Sequence, residues 1–325
     1  MKAEMHPISC HKDAMEIFSY SFKAMGGPCE VRLYAPERER ADRYAEAARA
    51  EILRLEQRYS RYRDDSLTTM VNRSAGDSRG VEVDAESAAL LDYAHTAWEQ
   101  SGGLFDITSG VLRRVWDFQL RRVPTQAQID GILPLIGWGK LRWDKPHLVL
   151  PVAGMELDFG GYVKEYAADR AAQASRDAGA RHGFVELAGD IALIGAHPDG
   201  APWHIGVRHP RAPEQALATI PLGAGAIASS GDYERYFEVD GQRYSHLLNP
   251  KTGWPVRGLS AVSVVAPQCL IAGTASTIAM LKGAEDGPRW LGELGLRHLC
   301  VDAQGGLAGS VEHRQNAPRT PMTRG

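Results

Sequence analysis

An Asp240-Gly241 pair sits between two short runs, YFEV before it and QRYS after it, in which side-chain character alternates. A two-residue connection of this kind is a type I′ turn, which needs positive φ at both positions and permits one antiparallel register. That register sets Val239 against Gln242, Glu238 against Arg243, Phe237 against Tyr244 and Arg235 against His246. Glu238 and Arg243 then form a favourable cross-strand pair. His246 shares a face with Tyr244 and Phe237. The second strand runs into SHLLNPKTGWPV, residues 245–256, where the histidine stands just before an Asn-Pro turn followed by Lys-Thr-Gly and Trp-Pro. An arginine opposite the histidine disfavours imidazolium and keeps the ring in the neutral form of a general base. The same residue could equally serve only to cap the turn.

The 325 residues suit one large domain or two small ones, and 44% apolar content allows a sizeable core. A net charge of −3 lacks the basic excess of a nucleic-acid footprint. No apolar run reaches the roughly 18 residues of a membrane span. The N-terminus has no apolar stretch of signal-peptide type, so the sequence as it stands reads as cytoplasmic, or periplasmic if a leader was trimmed. Cys10, Cys29, Cys269 and Cys300 show no CxxC spacing and are expected to be free thiols of a reducing compartment.

Along the chain, KAMGGPCEVRLYA reads as one strand with a Gly-Gly kink. Residues 41–59 read as a helix, with Tyr44, Ala48, Ile52, Leu55 and Tyr59 on one stripe. Asp84 reads as the N-cap of a helix through Trp98, stopped by Gly102-Gly103. LRWDKPHLVLP reads as a hairpin. MELDF reads as a strand leading through Gly160-Gly161 into a helix over 162–178. HGFVELAGDIALIG reads as strand, turn, strand; LSAVSVVA as a buried strand; CLIAGTASTIAMLKG as a helix; and RHLCVDAQGGLAGS as a hairpin. Without a regular βαβ rhythm the class is α+β, mixed sheets with packed helices, and no linker demands a domain cut.

Several stretches carry candidate chemistry. In DFGGYVKEYAAD, free amides of Gly160 and Gly161 at a helix start, with Lys164, suit a phosphate; the alternative is a tight turn beside a solvated lysine. In VELAGDIALIG, Glu186 and Asp190 bracket a turn at which Gly189 permits close backbone approach. Such carboxylates suit ribose hydroxyls or Mg²⁺, or a self-bonded β-turn. Phe105, Asp106 and Thr108 in GGLFDITSG read alone as a helix cap with a packed phenylalanine. IASSGDYERY reads alone as turn chemistry, and RLEQRYSRYRDDS as a basic, solvated helix end.

Taken in order, these pieces resemble the ApbE family of FAD:protein FMN transferases. The family's Met-Gly-Thr strand is similar to MGGPCEV, its Glu…Ser-x-Tyr…Ser…Asn segment to EQRYSRYRDDSLTTMVN, and its Gly-x-Phe-Asp-x-Thr to GGLFDIT. Its Asp-x-Gly-Gly-x-x-Lys-x-Tyr-x-x-Asp element is similar to DFGGYVKEYAAD and its Gly-Asp turn to ELAGDIALIG. The most specific likeness is Ser-Ser-Gly-Asp-Tyr…His-x-x-Asn-Pro-x-Thr-Gly-x-Pro, here SSGDYERYFEVDGQRYSHLLNPKTGWP. The resemblance spans roughly residues 22 to 305. It implies a T-fold-like transferase domain over 22–311, preceded by an extension over 1–21 and followed by a flexible tail over 312–325.

The resemblance also implies a reaction: a threonine hydroxyl of a partner flavoprotein attacks the FMN-side phosphate of FAD, and AMP leaves. His246 would be the base. FAD would be met by Met25 and Gly26; by Tyr62; by Phe105, Asp106 and Thr108; and by Gly160, Gly161 and Lys164. Further contacts would come from Glu186, Leu187, Ala188, Gly189 and Asp190, from Ser230 and Asp232, and from Thr252 and Gly253. Mg²⁺ would be held by the Val163 carbonyl, Thr277 and Thr274. The acceptor would carry a Ser/Thr-Gly-Ala-Thr motif; this chain has none, so the target is a separate protein. Two departures concern the metal. Gly273 replaces the family's metal-binding aspartate, and Val163-Lys164-Glu165 stands for the family's Ala-Lys-Gly. Either Glu165 or another acid compensates, or FAD phosphates hold the metal, or the protein is an FAD-binding paralogue without transferase activity. A pyrophosphatase giving FMN and AMP is a further alternative.

Overall fold

Met25 and Gly26 both adopt positive φ, 53° and 74°, and the chain reverses there. The computed structural model, which describes residues 15–311, therefore has two strands where the sequence suggested one kinked strand. β1 (Glu16–Ala24) and β2 (Gly27–Ala35) pair antiparallel from Glu16↔Ala35 to Ala24↔Gly27. β1 thus takes in residues 16–21, assigned above to an extension, because its whole length finds ladder partners on β2. Cys10 and the tail after 311 lie outside the described residues.

Helix α1 (Arg38–Tyr59) buries the expected stripe together with Ala41 and Ala45. Next come α2 (Leu67–Arg73), β3 (Val81–Glu82) and α3 (Ala85–Gln100). Asp84 caps α3 by accepting the Ser87 N–H at 2.9 Å. A 3₁₀ turn spans Ile107–Arg114, α4 (Gln126–Ile132) follows, and β4 (Arg142–Asp144) with β5 (His147–Val149) forms the expected hairpin. MELDF is not a strand. Asn72 holds both main-chain groups of Leu157, accepting its N–H at 2.7 Å and donating to its carbonyl at 3.0 Å, so that segment has no ladder to join. A 3₁₀ turn, Phe159–Gly161, then leads into α5 (Val163–Ala178).

β6 (Gly183–Leu187) and β7 (Asp190–Gly195) are joined by Ala188-Gly189, both at positive φ. β8 (Trp203–His209) and β9 (Ala212–Leu222) form a hairpin on which the sequence was silent. β10 (Ala226–Gly231) is a strand where the sequence suggested only turn chemistry. Its Ala226, Ala228 and Ile227 alternate between two apolar layers, which turn residues alone would not require. β11 (Tyr236–Val239) and β12 (Gln242–Ser245) pair in the register set by Asp240-Gly241, with φ of 50° and 73° at the turn. β13 (Leu259–Ala266) precedes α6 (Cys269–Glu293), a long helix interrupted at Gly283, and β14 (Arg297–Asp302) with β15 (Leu307–Gly309) closes the sheet. Asp169 of α5 accepts the first two N–H groups of α6, from Cys269 and Leu270, which that helix cannot satisfy internally.

The main sheet has the order β1-β2-β6-β7-β10-β13-β14-β15, and each of its ladders is antiparallel. The two-residue period of a strand sorts its side chains into two layers. Val31, Leu33, Val185, Ala192, Ala228, Val262 and Val264 face α1, α5 and α6. Phe184, Ile191, Leu193 and Ile227 meet Trp203, Ile220 and Leu222 of the β8–β9 hairpin. A third cluster, around Trp116, Ile129 and Phe237, seats the β11–β12 hairpin against the 3₁₀ turn and α4. Cys29, Cys269 and Cys300 are buried and unpaired. No helix of the described residues is long and apolar enough to cross a membrane.

Candidate active site

The β1–β2 and β6–β7 turns reach the same end of the sheet, since Cys29 on β2 pairs with Leu187 on β6. They touch there: a Cβ on Gly27 would meet that of Ala188 at 2.9 Å. The last residues of β10, the start of α5, the 107–114 turn and the end of the His246 hairpin complete a cleft of about 420 Å³, a size typical of small-molecule sites. Of the residues singled out in the sequence, Met25, Gly26, Phe105, Asp106, Gly160, Gly161, Lys164, Ala188, Asp190, Ser230, His246 and Thr277 line it.

The remaining candidates lie elsewhere. Tyr62 is exposed and accepts a bond from Arg113, which does line the cleft. Thr108 is buried, donating to Asp106 and accepting from the Gly137 N–H. Glu186 sits on β6 directly across from Glu30; burial, then that neighbouring carboxylate, raises its pKa. Leu187 is core, and Gly189 is in the turn. Asp232 is clamped by both terminal nitrogens of Arg211, at 2.6 and 2.7 Å. Thr252 and Gly253 form the turn after His246, Gly253 at φ 73°. Val163 and Thr274 are buried, the Thr274 hydroxyl lying beside the Tyr93 phenol.

His246 continues the β11–β12 pairing: its N–H donates to the Arg235 carbonyl at 3.0 Å, and its ring Nδ1 lies 3.2 Å from the same oxygen. A carbonyl oxygen can only accept, so Nδ1 carries the proton and Nε2 keeps its lone pair. Burial, then the charge of Arg235, pushes the imidazolium pKa down to about 4. The ring is therefore neutral at pH 7. The arginine opposite the histidine was legible in the sequence; the larger effect, desolvation by the cleft wall, was not.

Across the cleft, Lys164 is paired with Asp190 and lies 3.5 Å from Glu165 Oε1. The second oxygen of Asp190 accepts the Ser229 N–H at 3.0 Å. Ser230 bonds Ser276 at 2.7 Å and Thr277 at 3.0 Å. Asp158 accepts the Gly160 N–H at 2.8 Å and pairs with Arg61 and Arg113. Burial alone would raise its carboxyl; Arg113, Arg61 and the Gly160 amide outweigh that and hold it below the usual range. Arg113, Asp158, Glu234 and Arg235 all line the cleft and were not singled out as ligand contacts. Asp158, inside the Gly-Gly motif, and Arg235, opposite His246 in the hairpin register, carried a signal; Arg113 and Glu234 did not. Arg113 is brought in from a 3₁₀ turn by its pairing with Asp158.

Together these features define an α+β protein with a charged small-molecule cleft and a neutral imidazole in its wall. The ApbE family model matches residues 25–300, and the chain belongs to the ApbE family. It is 30% identical over 277 residues to the FAD:protein FMN transferase of Klebsiella pneumoniae (strain 342), covering 83% of this chain and 84% of that one. The crystal structure of the ApbE protein of Thermotoga maritima matches with a TM-score of 0.84 at 31% identity, over 91% of this chain and 97% of that one. The apo flavinyl transferase ApbE of Pseudomonas stutzeri matches with a TM-score of 0.79 at 28% identity, over 91% and 94%.

Proposed function

We propose that this protein is an FAD:protein FMN transferase that moves FMN from FAD to a threonine hydroxyl of a separate flavoprotein. The observation that carries the reading is His246, which lines the same cleft as the Gly160-Gly161 element and Lys164 and has its Nδ1 engaged by the Arg235 carbonyl. In the reaction the threonine Oγ–P bond forms, the bridging P–O bond of the pyrophosphate breaks, the hydroxyl proton passes to His246 Nε2, and AMP leaves. Phosphoryl transfer asks a protein mainly for positioning and charge neutralisation. The Gly160 amide, expected from the sequence to be free, is taken by Asp158, which also fills the space beside Gly160; Gly161 leaves room for close approach of a phosphate, and Lys164 and Arg113 bring cations to the cleft. The acceptor threonine is expected in a Ser/Thr-Gly-Ala-Thr sequence.

The cleft's charges bear on the metal. Lys164 is already flanked by Asp190 and Glu165, so a pyrophosphate needs further positive charge. The donors present are carboxylates and hydroxyls, the hard oxygens Mg²⁺ prefers. Among the described residues no three His, Cys, Asp or Glu side chains converge on one point; Mg²⁺ commonly uses one or two carboxylates plus substrate phosphates. Thr277, a carbonyl near Val163 and a cleft carboxylate would hold it, and bound there it would supply charge neutralisation at the pyrophosphate.

The test is mass spectrometry of a Ser/Thr-Gly-Ala-Thr peptide incubated with the protein, FAD and Mg²⁺. The expected result is a peptide heavier by FMN. Free FMN and AMP with unmodified peptide would instead identify a pyrophosphatase, and unchanged FAD a binding protein.

A further inference from the structure

Glu165 fills the space that a side chain at position 273 would need. A Cβ built on Gly273 would lie 2.9 Å from both Cδ and Oε1 of Glu165, and closer still to Cγ. A side-chain Cβ essentially never sits this close to a neighbour, so Glu165 as it is seated leaves no space for a side chain at 273. Glu165 is 8% exposed and lines the cleft. Its Oε1 lies 3.5 Å from Lys164 Nζ, and its Oε2 has no hydrogen-bond partner. A buried carboxylate oxygen without a partner is unfavourable unless a ligand supplies positive charge. The neighbouring acids are already engaged: Asp190 by Lys164 and the Ser229 N–H, Asp158 by Arg61, Arg113 and the Gly160 N–H. Thr277 lines the same cleft.

We propose that Glu165 is the carboxylate ligand of a divalent cation in this cleft. The metal-binding acid has moved from α6 to α5, and position 273 is glycine so that the glutamate can be seated. This rests on the metal-assisted reading above and sharpens it. The sequence left open whether Glu165, another acid or the FAD phosphates take over from the acid missing at 273. With Glu165 in place, the protein carries its own carboxylate before FAD arrives. An acid added back at 273 alone would have to displace Glu165 from its seat, because its Cβ collides with the Glu165 side chain.

The experiment is calorimetric titration of Mg²⁺, repeated with Mn²⁺ followed by electron paramagnetic resonance. It uses the wild type, Glu165→Gln, Gly273→Asp and the double variant Glu165→Gly/Gly273→Asp, each without and with FAD. FAD binding is followed separately by flavin fluorescence. Glu165→Gln, which keeps the volume, is expected to weaken metal binding at least about tenfold, the lower end of what loss of a metal-supporting group costs. Gly273→Asp should melt below wild type, while the double variant should recover both melting temperature and metal affinity. Equal metal affinity in wild type and Glu165→Gln would overturn the proposal. So would a wild type that binds no Mg²⁺ or Mn²⁺ with or without FAD, or a well-folded double variant without metal affinity. If metal binds through Glu165 but FAD does not bind, the transferase reading fails while this assignment stands.

Discussion

Trp116 donates its indole N–H to the main-chain carbonyl of Gly253 at 2.7 Å, tying the aromatic cluster to the turn that follows His246. The same indole ring lies 5.6 Å from Tyr244 and 6.3 Å from Phe237, centroid to centroid. The histidine is thus aimed from both sides. The hairpin before it packs on Trp116 through Phe237 and Tyr244, and the turn after it is held by the Trp116 N–H. A rigid setting of this kind suits a base, which must meet its proton within hydrogen-bond reach.

Removing that bond should misplace the base without emptying the cleft. In Trp116→Phe the Gly253 carbonyl loses its buried donor, a loss of about 1–3 kcal/mol. Thermal melting is expected to show the destabilisation. The transfer rate at saturating FAD should fall while FAD affinity stays within a few-fold of wild type. A variant with unchanged kcat would show that the turn does not position His246.

His246→Ala should abolish most transfer and spare FAD binding. Loss of a general base lowers the rate by roughly 10² to 10⁴. Single-turnover flavinylation of an acceptor peptide gives the rate, and fluorescence titration gives the affinity. A near wild-type rate would make His246 a turn residue only.

The pH profile should carry the mark of the desolvated imidazole. With its pKa pushed down to about 4, His246 stays an unprotonated base from neutral pH down to that value. The acid limb of the transfer rate should therefore fall near pH 4, well below the ordinary histidine value of about 6.5. The same shift acts on stability. The unfolded chain takes up a proton near 6.5 and the folded one does not, so this group's contribution is complete above about pH 6.5 and is lost as pH falls toward 4. Rate and melting temperature measured across pH 4–8 check both, and an acid limb near 6.5 would contradict the lowered imidazole pKa.

FAD should bind more tightly than riboflavin, because the polar groups of the cleft suit a pyrophosphate. Lys164→Ala should narrow that difference, weakening FAD more than riboflavin. Calorimetry on both ligands and both proteins is the check. Equal wild-type affinities would remove the phosphate role from Gly160, Gly161 and Lys164.

Much of the fold was legible because the relevant forces act between near neighbours. Asp240-Gly241 sets its register through its own two φ angles, and the structure reproduces the pairing residue by residue. Asp84 caps α3 through an amide three residues on, and the α1 stripe follows from helical period alone. Reading failed where a distant partner decided. MELDF has strand-like composition, but Asn72 takes up the main-chain groups of Leu157. The Met25-Gly26 stretch is a reversal because β2 has both β1 and β6 to pair with.

The sequence by itself determined the turns, the helix periods, the ApbE motif order and the placing of a histidine opposite an arginine. The turns and helix periods are set by residues a few positions apart, the histidine's partner by one hairpin register, and the motif order by the linear sequence alone, so none of them depends on how the chain packs. The tertiary structure alone decided which candidates share the cleft, and it left Asp232 in the grip of Arg211 and Glu186 beside Glu30. It also decided that Gly273 and Glu165 are one feature. Their relation is a matter of excluded volume between two helices, and volume is known only once the helices have packed.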